Sequence, residues 1–76
     1  MTTTLSSPIL SASKIEIILR GTYKQAPGYL VAKLTEVSRL STTPSEAYAA
    51  AFALLSNALP GKLEADVVSK QIAASI

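Results

Sequence analysis

Apolar residues recur at helical spacing over most of this chain, in blocks separated by proline, glycine and hydroxyl-rich stretches. From Tyr29 to Leu40, the residues Leu30, Leu34, Val37 and Leu40 line one side of a helix. Thr35, Glu36 and Arg39 lie away from that side, and Lys33 sits at its edge. The preceding Gln25-Ala26-Pro27-Gly28 is a turn, or a turn that opens the helix with Pro27 in its first turn, and the helix is placed over about 27–40. The sharpest local signal follows in Ser41-Thr42-Thr43-Pro44-Ser45-Glu46. Thr43 as N-cap accepts a bond from the backbone of Glu46, the Glu46 side chain returns one to Thr43, and Pro44 stands at the first helical position. This predicts a helix over about 44–59. It carries a bulky stripe (Tyr48, Phe52, Leu55, Leu59) and a mostly small one (Ala47, Ala51, Leu54, Ala58), so it is contacted from at least two sides. Pro60 and Gly61 stop it. A last helix is predicted over about 62–75, with Ala65, Val68, Ile72 and Ile76 on one side and Leu63, Val67 and Ala74 roughly opposite.

The stretch 14–24, KIEIILRGTYK, fits two descriptions. As a strand it places Ile15, Ile17 and Leu19 on one face; as a helix it forms a stripe of Ile15, Ile18, Leu19 and Thr22. Its β-branched residues and Gly21 favour the strand. A single strand, however, has nothing later in this sequence to pair with, so it would need another chain. The expected fold is therefore mostly α: a short strand or helix at about 14–24, then three helices. Residues 14–76 form one small helical domain behind a flexible uncharged arm over 1–13, Ser/Thr-rich and containing Pro8.

Composition narrows the chemistry. The 76 residues include no cysteine, histidine or tryptophan, which excludes disulfides, thiolate or imidazole metal sites, and imidazole base catalysis. Glu64 and Asp66 lie two apart on a helix and point to different sides, so they make no acid–base pair. The glycines form no phosphate-binding loop, and the carboxylates do not cluster for a metal. The expectation is a non-enzyme without cofactor or metal. The longest charge-free run in the helical part is the fifteen residues from Ala47 to Gly61, too short for the roughly 20 that a membrane span needs. No signal-peptide pattern opens the chain, and a cytoplasmic location is expected.

The net charge of +2 is unevenly placed, since 14–39 carries +3 and 46–76 carries −1. A basic first half faces phosphate, an acidic protein, or simply water. Tyr23 and Tyr29 flank the turn near Lys24; such tyrosines stack on bases or, more commonly, rim an apolar interface. The sequence Thr43-Pro44-Ser45-Glu46-Ala47-Tyr48, preceded by a basic strand and an amphipathic helix, resembles the ribbon-helix-helix repressors over Lys14 to Leu55. The resemblance implies two chains pairing strands into a ribbon that enters the major groove. Depending on register, Arg20, Thr22 and Lys24, or else Lys14, Glu16 and Ile18, would then face DNA, with Ser45 and its backbone amide near a phosphate. The chain departs from the pattern in its longer strand-to-helix link, in Glu16 on the strand, and in an additional helix.

Hydrophobic residues make up 49% of the chain and charged ones only 16%, below the roughly 25% of ordinary domains. A chain this short buries only about 60% of its unfolded surface, so the apolar excess predicts a covering partner. The function expected is a protein–protein interaction or assembly module, acting as a homo-oligomer or within a larger complex. Its partner surface would comprise Tyr48, Phe52, Leu55, Leu59, Leu63 and Val67. The alternative is a dimeric DNA-binding regulator of ribbon-helix-helix type.

Overall fold

A computed structural model describes residues 11–76, so the expected arm lies outside the described residues except for Ser11, Ala12 and Ser13. Four helices account for 79% of the described residues, and no strand occurs among them. They are α1 (Ala12–Thr22), α2 (Gly28–Leu40), α3 (Pro44–Ala58) and α4 (Lys62–Ala74). In space α1 packs on α2 and α4, and α3 packs on α2 and, most extensively, on α4.

The stretch favoured as a strand is helix α1, a correction with a clear cause. A helix satisfies its backbone donors and acceptors within one segment, whereas the strand lacked any partner. Local chemistry supports the same outcome. Ser11 caps the start, its hydroxyl accepting from the Lys14 amide at 3.2 Å. One turn in, Glu16 and Arg20 pair at 2.9 Å across i,i+4 spacing. Ile15 and Leu19 are fully buried, Ile18 packs partly against the core, and Ile17 is left 66% exposed. The helix ends at Thr22 with Tyr23 as its C-cap, and the next residue, Lys24, adopts φ +65° while its amide donates to the Arg20 carbonyl at 3.1 Å.

The start of α2 has no side-chain cap; the Pro27 carbonyl accepts from both Leu30 and Val31 at 3.0 Å. Its inward face is Leu30, Val31, Leu34 and Ser38. The stripe expected from the sequence is thus corrected: Val37 is half-buried and Leu40 is 64% exposed. A serine can occupy the inward position because its hydroxyl donates to the Thr35 carbonyl at 2.9 Å within the same helix.

At α3 the Thr43 hydroxyl accepts from the Glu46 amide at 3.2 Å, as expected of the N-cap. The returning bond differs by one residue: the Glu46 carboxylate accepts from the amide and the hydroxyl of Thr42, at 3.0 and 2.8 Å, rather than from Thr43. These donors, the Thr42 amide first, hold the Glu46 carboxyl below the usual carboxylate range. The small residues Ala47 and Ala51 are fully buried with Leu55, and the α3–α4 packing is the most extensive in the molecule. Leu59 is extended, and Gly61 takes φ +106°, a conformation that side-chain-bearing residues rarely adopt; this turns the chain into α4. From α4, Ala65, Val68, Ser69 and Ile72 face inward. The core is completed by Ile15 and Leu19, by Leu30, Val31 and Leu34, and by Ala47, Ala51 and Leu55.

Candidate interaction surface

A two-sided α4 must expose whichever side the core does not take. The core takes Ala65, Val68 and Ile72, and the other side remains in water: Leu63 is 81% exposed and Val67, one turn later, 43%. These are the two sequence-predicted interface residues that the fold leaves accessible together. Leu55 is fully buried, and its place in the expected surface is corrected. The wide apolar arc of α3 was apportioned by volume: the alanines allow close approach, and Leu55, a turn from Ala51 on the same side, follows them inward. Phe52 and Leu59 are half-buried and pack against the core.

Tyr48 is also half-buried, stacked on Phe52 with ring centroids 5.7 Å apart. Its hydroxyl donates to the carboxylate of Asp66 on α4, and Lys70 pairs with the same carboxylate at 3.2 Å. The Tyr48 hydroxyl and then Lys70 hold the Asp66 carboxyl below its ordinary range, while the same hydrogen bond raises the Tyr48 phenol above its own. Asp66 is therefore engaged in joining α3 to α4 at the base of the exposed Leu63–Val67 flank.

A second feature was not anticipated. An open groove of about 390 Å³ lies between α2 and α3, lined by Val37, Leu40, Ala50 and Leu54 with Lys33, Glu36 and Glu46 about them. Sequence reasoning missed it by assigning Val37 and Leu40 to the core. A signal was present: Tyr29, Lys33, Glu36 and Leu40 follow one another at steps of four, three and four residues, which marks a single seam of the helix. A seam containing a lysine and a glutamate is one that faces water.

The residues of the nucleic-acid alternative are distributed differently from the ribbon arrangement. Arg20 is exposed on α1 and paired with Glu16, Thr22 ends that helix, and Lys24 follows it; Ser45 is exposed in the first turn of α3. The segment that the resemblance requires as a strand is helical. Of the tyrosines, Tyr29 is 58% exposed, whereas the Tyr23 hydroxyl is buried without a partner among the described residues. Burial, and then the charge of Glu64, raises the Tyr23 phenol above its usual range.

Among the described residues no helix is long and apolar enough to cross a membrane, and no three acidic, histidine or cysteine side chains gather as a metal site. Compared with protein-family models, with curated proteins and with solved structures, the chain matches none.

Proposed function

We propose that this chain is a small non-enzymatic assembly module of the cytoplasm, which binds another protein surface through apolar side chains left outside its core. The observation that carries the reading is the outer flank of α4. Leu63 and Val67 lie one turn apart and exposed, on a helix whose inner side already fills the core. Covering such residues removes apolar area from water at roughly 25 cal/mol per Å². With only 16% charged residues, little of the chain is available to screen them.

The test is photo-crosslinking in the producing cell, with a photoreactive residue at position 63 and a control at the exposed Ala49, on the side of α3 away from its buried Ala47, Ala51 and Leu55. Position 63 should give discrete adducts, either with a second copy or with another protein, and Val67→Glu should abolish them. Adducts no stronger from position 63 than from 49, together with a particle of 7.9 kDa in light scattering, overturn the reading.

A further inference from the structure

The seam of α2 says which partner fits it. Tyr29, Lys33, Glu36 and Leu40 repeat at the spacing of the a and d positions of a coiled coil. All four are exposed, and the opposite side of the helix, Leu30, Val31, Leu34 and Ser38, is committed to the core. The order along the seam is apolar, positive, negative, apolar. About the middle of the helix, between Leu34 and Thr35, the two ends match in carrying a large side chain with an apolar body, and the two central positions are opposite in charge.

We propose that two copies of this chain associate through α2, antiparallel about a two-fold axis. The inference rests on the assembly reading above and names a second copy as a partner. In that arrangement Lys33 meets the partner's Glu36, Tyr29 meets the partner's Leu40, and the axis repeats each contact. A parallel pairing opposes lysine to lysine and glutamate to glutamate, so charge selects the antiparallel form. The groove between α2 and α3 opens beside Leu40, where the partner's Tyr29 ring arrives, and its Val37 and Leu54 walls add apolar area to the contact. Among the described residues Glu36 pairs only with Arg39, at 3.7 Å and exposed, which does not compete with a second lysine. The seam extends for only about 18 Å of helix, so the contact falls in the small, reversible class of interface, with dissociation expected at about 10–100 µM.

Sedimentation equilibrium of the full chain, from about 10 µM to 1 mM, tests this. The wild type should pass from monomer to dimer across that range. K33E and E36K each place like charges opposite one another twice, and each should weaken the dimer at least about tenfold. The double variant K33E/E36K reverses both partners and should return to within about threefold of wild type, since an antiparallel seam restores both pairs. Both positions are exposed, and circular dichroism should give the same helical spectrum for all four proteins. A wild type that remains monomeric throughout overturns the proposal, as does a double variant no better than the singles. Self-association that ignores these charges but disappears in Leu63→Glu also overturns it, while sustaining the broader assembly reading. Conversely, a charge-dependent dimer without adducts from position 63 supports the seam and removes the α4 flank from that reading.

Discussion

Ser69 offers a substitution whose expected sign is opposite to that of most core changes. It lies on the inward face of α4, fully buried, and its hydroxyl has no hydrogen-bond partner among the described residues. A buried hydroxyl left unpaired carries a desolvation penalty of roughly 1–3 kcal/mol. Alanine also exceeds serine in helix propensity by roughly 0.5 kcal/mol. Against these stands the small void left by one oxygen atom, which returns part of the gain. Ser69→Ala should therefore stabilise the fold by about 1–2 kcal/mol, and in a chain this short each kcal/mol moves the melting midpoint by about 4–8 °C. The assay is urea unfolding followed by circular dichroism, in which the midpoint should rise while the slope stays constant. Ser38→Ala serves as the control, because that buried hydroxyl already donates to the Thr35 carbonyl and its removal forfeits a made bond. A Ser69→Ala midpoint at or below wild type would refute the reasoning; the hydroxyl would then have turned onto the Ala65 carbonyl, one helical turn earlier.

Two glycines should respond in opposite directions. Gly61→Ala should destabilise by about 1–3 kcal/mol, since φ +106° suits no other residue and an added methyl would also meet the Glu64 carboxylate. Gly21→Ala, in the last turn of α1 with open space around it, should stabilise by about 0.5–1 kcal/mol; both are read from urea midpoints. Stability should also fall on acidification. Glu46 and Asp66 have carboxyls lowered in the folded chain, so the unfolded chain binds more protons as pH drops. Their contribution is present above the unfolded carboxylate range near pH 4 and is lost below it; the double variant E46Q/D66N should show a flatter decline of the urea midpoint between about pH 6 and 3.

Much of the fold was legible because local chemistry and apolar spacing agreed. Thr43 with Pro44 fixed the start of α3, Pro60 and Gly61 its end, and the two-sided pattern of α4 foretold that Leu63 and Val67 would lie opposite the core. Legibility failed where one residue type had two uses. The isoleucines of α1 favour extended backbone, yet Ile15 and Leu19 also make a one-turn helical pair, and only the missing second strand decides between them. On α2 the hydrophobic pattern pointed to Leu40 rather than Ser38, because a serine that satisfies itself within its own helix looks like a surface residue in a linear sequence. The candidate surface was half legible for a related reason. Apolar width shows that α3 touches something on two sides, but Leu55 goes inward and Tyr48 toward the rim through the approach of α4, a matter of three-dimensional volume.

The bond from Tyr48 to Asp66 is the sole side-chain hydrogen bond or ion pair between different helices among the described residues; the other such links run along a single helix or its cap. Directional attachment is thus concentrated at one seam. The α3–α4 hairpin has a fixed bearing and acts as a platform. Helices α1 and α2 rest on it through oily contacts that prefer closeness but no particular angle. A docking partner that presses on α2 can slide it by a fraction of a turn without breaking an interhelical polar bond, so adjustment at the groove comes at small expense while the α4 flank keeps its shape.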